Sequence, residues 1–138
     1  MNLLACGIVN YRERLYTWGS MFNDAILDHF RNPRNAGSLP DATAVVEVTN
    51  PVCGDILRLS VRLDNGLIEA VRFKTQGCVA AIASSSVLTE LMTGKSPDQI
   101  RNITATEISE ALGGLPPATF HAAQLCADGL AVLASKLV

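Results

Sequence analysis

The chain has 138 residues, of which 49% are hydrophobic and 17% charged, and a formal net charge of −2. That is enough chain for one domain with a hydrophobic core and no disulfide staples. The composition excludes a basic footprint for nucleic-acid backbones, and no apolar run approaches the roughly 18 residues that cross a bilayer.

In chain order, the segment up to Ser20 shows weak periodicity. Leu3-Leu4-Ala5-Cys6 has the look of a lipoprotein cleavage box, but no charged segment and apolar core precede it, so Cys6 stays outside the functional reading. Residues 1–20 are expected to be a leader, poorly ordered or additional to a natural start at Met21, and residues 21–138 the folded domain. Phe22, Ile26 and Phe30 recur at helical spacing and predict a helix to about Arg31, ended by Asn32-Pro33 and a turn through Gly37. His29, between Asp28 and Arg31, reads as solvated.

Val45 to Thr49 is a short β-branched strand. Ile56 to Leu63 alternates, with Leu57, Leu59, Val61 and Leu63 on one face, and Leu67 to Thr75 is the return strand. A two-residue Asn65-Gly66 turn would set Val71 and Phe73 against the polar face of the preceding strand. A three-residue loop, Asp64-Asn65-Gly66, pairs Leu63 with Leu67, Leu59 with Val71 and Leu57 with Phe73, and is the expected connection. Val79 to Met92 reads as a helix opening at Cys78. Ser96-Pro97-Asp98-Gln99 and Thr104-Ala105-Thr106-Glu107 fit the capping-box pattern of two short helices, the second closed by Gly113-Gly114. After Leu115-Pro116-Pro117 a last helix runs to about Leu137. Strands first and helices later predict an α+β fold, a three-stranded antiparallel meander with helices packed mainly on one face.

Three separated pieces then stand out: Pro51-Val52-Cys53-Gly54-Asp55, Gln76-Gly77-Cys78 and Phe120-His121. Two thiols, a carboxylate and an imidazole form a complete ligand set for a soft or borderline metal, drawn from only four cysteines and two histidines. The meander brings the loop of Cys53 and the end of the third strand to the same end of the sheet. Cys78 also opens a helix, where unpaired N–H groups favour negative charge. Gly54 and Gly77 relieve crowding beside these residues. A single cysteine beside a glycine is usually a small buried hydrophobe, but two of them with Asp55 at hand favour a site. Cysteines so placed suit reduced thiols and a cytoplasmic compartment rather than a disulfide framework. Ser84-Ser85-Ser86 has no partner base in view and reads as helix packing or backbone bonding.

Ala25-Ile26-Leu27-Asp28-His29-Phe30-Arg31-Asn32-Pro33-Arg34-Asn35-Ala36-Gly37, Cys53-Gly54-Asp55, Arg72-Phe73-Lys74-Thr75-Gln76-Gly77-Cys78 and Ala81-Ile82-Ala83-Ser84-Ser85-Ser86 together resemble the IscU/NifU-type iron–sulfur cluster scaffold family, from about Met21 to the C-terminus. The resemblance implies a scaffold that takes sulfur from a cysteine desulfurase, assembles a labile [2Fe–2S] cluster on iron-binding residues, and passes it to recipient apoproteins. Such scaffolds also hold zinc. On that pattern Cys53, Cys78 and His121 hold the cluster, and Cys53, Asp55, Cys78 and His121 are the metal ligands. The resemblance therefore implies a non-enzymatic scaffold; the alternatives are a zinc-dependent sulfurtransfer partner of the desulfurase and a structural zinc-binding relative.

Two departures qualify the match. The family's third cysteine follows the histidine, and here that position is Ala122, with Ala123 next. Cys126 lies about 40° around and ~6 Å along an ideal helix from Ala122 and about 140° around from His121, which argues against ligation, and the family's alanine at that place implies a core-facing position. The family's chaperone-recognition stretch, leucine-proline-proline-valine-lysine, reads Leu115-Pro116-Pro117-Ala118-Thr119 and lacks the lysine.

Overall fold

The computed structural model describes residues 22–51 and 54–137. The expected leader, residues 1–20, and the candidate ligand Cys53 both lie outside the described residues. Helix α1 spans Asp24–Arg31. Asn23 caps it by accepting a hydrogen bond from the Ile26 amide at 2.9 Å, and Asn32 closes it. Its apolar face buries Ile26, Leu27 and Phe30.

Strands β1 (Ala44–Thr49), β2 (Ile56–Asp64) and β3 (Leu67–Gln76) form an antiparallel sheet in the order β1-β2-β3. Period-two alternation puts Val46, Leu57, Leu59, Val61, Val71 and Phe73 into the core. The β2–β3 connection differs from the expected three-residue loop. Asn65 (φ 54°) and Gly66 (φ 79°) form a two-residue turn, with Asp64 opposite Leu67 and Leu63 opposite Ile68. Both left-handed residues match the strand twist, as type I′ turns do. A register shift between Arg62 and Leu63 leaves Glu69 as an extra residue in β3, after which Arg62 pairs with Ala70, Val61 with Val71 and Leu59 with Phe73. The bulge restores the apolar face that a two-residue turn alone would scramble. Glu69 turns outward to Arg62 Nε at 3.2 Å.

Helix α2 (Val79–Met92) is buried on nearly every side, which its small apolar residues permit. It lies against β3, while α1 packs on its other side. Helices α3 (Pro97–Arg101) and α4 (Ala105–Ala111) are short and begin where their caps predict. Ser96 and Gln99 exchange both bonds of a capping box, while Thr104 accepts from the Glu107 amide at 3.1 Å. After a 3₁₀ turn at Pro117–Thr119, α5 (His121–Leu137) crosses β1 and β2 and carries His121 on its first turn. At the crossing a Cβ on Gly129 would lie 3.2 Å from Leu57 Cδ2, so the helix sits close on the sheet.

Two serines of α2, Ser85 and Ser86, bind structure rather than substrate, while Ser84 Oγ is buried with no hydrogen-bond partner among the described residues. Ser85 Oγ donates to the Ala81 carbonyl at 2.7 Å and meets Thr75 Oγ1 at 2.7 Å. Ser86 Oγ accepts from the Arg34 amide at 2.8 Å, and Thr89 Oγ1 accepts from Asn35 Nδ2 at 3.0 Å. These bonds seat the Asn-Pro-Arg-Asn turn, which then runs along the β3 edge at Phe73. His29 is buried, not solvated as expected. Its Nδ1 lies 2.8 Å from Ser86 Oγ and its Nε2 lies 3.5 Å from Glu90, and burial lowers its pKa. The sequence separation of 57 between His29 and Ser86 explains why local periodicity misses the contact.

Candidate metal centre

Asp55 stands between β1 and β2. The loop is pinched shut by Asn50, whose amide donates to the Asp55 carbonyl at 2.8 Å and whose carbonyl accepts from the Gly54 amide at 2.7 Å. Gly54 takes a left-handed φ of 74°, which an L side chain adopts at a cost. The Asp55 side chain is thereby turned inward and left only 4% exposed.

Cys78 is the N-cap residue of α2, with extended backbone and no capping bond from its side chain, so its thiol is free to face the sheet end. It is half-buried. His121 opens α5 over the same place, with Nε2 3.7 Å from Asp55 Oδ2. One ligand atom from each of Asp55, Cys78 and His121 lies within 4.8 Å of the others. Donors on one tetrahedral ion with bonds of about 2.0–2.3 Å sit about 3.3–3.8 Å apart, so closure needs side-chain movement of about 1 Å.

The donor set also passes a chemical test for an ion. Asp55 Oδ2 is buried and accepts no hydrogen bond. Such an atom is costly unless a proton or cation satisfies it. Burial raises the Asp55 pKa, and the charge of His121 opposes that shift. Sulfur, nitrogen and oxygen donors from three separate elements suit zinc or iron.

Three of the four sequence-derived candidates, Asp55, Cys78 and His121, therefore meet, and the fourth, Cys53, is outside the described residues. Ala122 is fully buried and brings no donor. Cys126 lies in the core beside Ser85, its thiol pKa pushed up to about 12 by burial. One feature escaped the sequence reading. A cleft of about 180 Å³ lined by Thr49, Asn50, Pro51, His121, Gln124, Leu125 and Asp128 opens beside the imidazole. The spacing of 121, 124, 125 and 128 is a one-face helical pattern that signals Gln124 and Asp128 once His121 is singled out.

Comparison with known proteins agrees with this architecture. The family model described as NifU-like N terminal domain matches residues 21–136. The iron-sulfur cluster assembly scaffold protein IscU 1 of Archaeoglobus fulgidus is 46% identical over 110 residues, covering 80% of this chain and 72% of the relative. IscU of Escherichia coli is 42% identical over 113 residues, covering 79% and 88%. A crystal structure of an iron-sulfur cluster assembly scaffold protein for the SUF system from Fervidobacterium islandicum superposes with TM-score 0.69 at 20% identity, covering 82% of this chain and 96% of that one. The N-terminal part of a NifU-like protein from Brucella abortus gives TM-score 0.58 at 21% identity, covering 84% and 82%. These structures share the three-stranded α+β fold, and the match over nearly the whole described region makes this chain a member of the NifU-like N-terminal domain family.

Proposed function

We propose that the chain is an assembly scaffold for iron–sulfur clusters, with residues 21–138 as the scaffold domain and Cys53, Asp55, Cys78 and His121 as the residues that hold the cargo. The observation that carries this reading is the gathering of Asp55, Cys78 and His121 around a buried carboxylate oxygen without a partner. Thiolate donors hold clusters strongly, whereas a set diluted with imidazole and carboxylate holds them less firmly. A scaffold needs release as much as capture. The mixed set therefore suits a labile [2Fe–2S] cargo delivered in parts and handed on whole.

The partners that this role requires are a sulfur donor of the cysteine desulfurase class and recipient apoproteins. The missing lysine after Pro116-Pro117 leaves a chaperone contact of the family's usual kind open, without the charged residue of the family's stretch. Thiols kept available for sulfur suit a reducing cytoplasm. No helix among the described residues is long and apolar enough to cross a membrane.

Ala122 favours a second reading, in which zinc occupies the site and a cysteine of the site accepts persulfide from the desulfurase. Anaerobic reconstitution of the purified chain with iron, sulfide and reductant separates the two. The scaffold reading expects visible absorption and near-equal iron and sulfide, both lost in Cys78→Ser. Tightly held zinc with desulfurase-dependent persulfide and no cluster would replace it with the transfer reading. Zinc without persulfide or cluster would leave a structural zinc protein.

A further inference from the structure

Gly77 precedes Cys78, yet its backbone is not among the left-handed glycines, so φ does not demand glycine there. Space does. A Cβ at Gly77 would lie 2.9 Å from both Cγ and Oδ1 of Asp55, and 3.0 Å from the Ala81 Cβ. Carbon atoms meet comfortably at about 3.5–4.0 Å, so the carboxylate occupies room that any side chain would claim. Meanwhile Oδ2 of the same carboxylate stands 3.7 Å from His121 Nε2 and accepts no hydrogen bond. One oxygen packs over Gly77 while the other is presented toward His121.

We infer that Gly77 is a positioning residue for the Asp55 ligand: its bare α-carbon is the seat that lets the carboxylate sit with an unpartnered oxygen 3.7 Å from His121 Nε2, toward the metal position. The inference rests on the reading of Asp55, Cys78 and His121 as a ligand set. Any side chain at position 77 would push the carboxylate outward and leave Cys78 and His121 without their oxygen partner.

The test is a double-mutant cycle on the full chain: wild type, Gly77→Ala, Asp55→Ala and the double variant. Each is measured metal-free by thermal melting and, with Co(II) as the probe, by affinity and ligand-field absorption. Gly77→Ala should weaken Co(II) binding about 10- to 100-fold, as loss of an orienting contact does, and should lower the metal-free Tm. In the Asp55→Ala background it should do little more to either. Equal losses in both backgrounds, or no loss with Asp55 present, would overturn the inference. Recovery of Gly77→Ala by Ala81→Gly would also overturn it, because Ala81 would then be the obstacle. Should Gly77→Ala not fold by itself, folding of the double variant supports the inference and its failure to fold refutes it. A wild type that does not bind Co(II) would sink the metal-site reading, while the metal-free melting cycle still decides the role of Gly77.

Discussion

Asp55 is placed where a carboxylate is least comfortable, buried and with one oxygen unpartnered. Burial raises its pKa from the ordinary value of 3.8, with the His121 charge pulling the other way. The folded chain thus holds more protons than the unfolded chain between 3.8 and the raised folded value, and stability falls as pH rises through that window. Asp55→Asn should therefore raise the Tm of the metal-free protein at neutral pH, with the gain vanishing below the ordinary carboxyl range. Melting curves across pH check the sign, and a lower Tm at neutral pH would mean that the charge is already satisfied. The same variant should bind Co(II) more weakly, separating ligand chemistry from stability. Asp55, Cys78 and His121 were legible as candidates because together with Cys53 they complete a ligand set, although each residue alone has a commoner structural use. His29 was not legible. Its partner, Ser86, is distant in sequence, and nothing in the spacing of α1 reports which neighbour will face its flank.

Among the elements, the starts of α3 and α4 followed from local chemistry, since Ser96 and Thr104 each satisfy backbone N–H groups that the helix itself leaves open, whereas α1 begins at Asp24 behind the Asn23 cap and not at Phe22, where the apolar spacing begins. The β2–β3 register did not follow. Asn65-Gly66 is strong two-residue turn chemistry, while the alternating apolar residues demand a different pairing, and a bulge at Glu69 reconciles them. Sequence exposes that conflict but does not say whether the turn or the strand yields. The serine run also gains its meaning only from packing. Ser86→Ala should cost about 1–3 kcal/mol, because it strips the Arg34 amide and the His29 ring of a buried partner. Chemical denaturation measures this, and hydrogen exchange should show the Asn32–Gly37 turn loosening first. A loss under half a kilocalorie would mean that water substitutes for the hydroxyl.

At the scale of the whole molecule, the site exists only because three elements end at one place: the β1–β2 loop, the start of α2 and the start of α5. Ala122, the next residue after His121, is fully buried. Under the scaffold reading, Ala122→Cys restores a third thiol and should lengthen cluster lifetime several-fold after reconstitution, followed by decay of visible absorption. An unchanged lifetime would place residue 122 away from the cargo. Cys126→Ala should leave metal binding intact and cost about 1 kcal/mol of stability, since its thiol lies in the core with its pKa pushed up to about 12. Loss of metal with the fold intact would give Cys126 a role that its burial argues against.

The order of the main elements, their approximate limits, the buried face of the meander and the residue types able to bind a metal were determined by the sequence itself. Those features depend on interactions a few residues long: period-two and helical spacing, caps and turn chemistry. Tertiary structure decided the β2–β3 register, the burial of His29, the use of the serine hydroxyls and the seating of the Asp55 carboxylate over Gly77. Each of these depends on close packing between segments distant in the chain, where a few tenths of an ångström separate contact from clash. No local pattern encodes that distance.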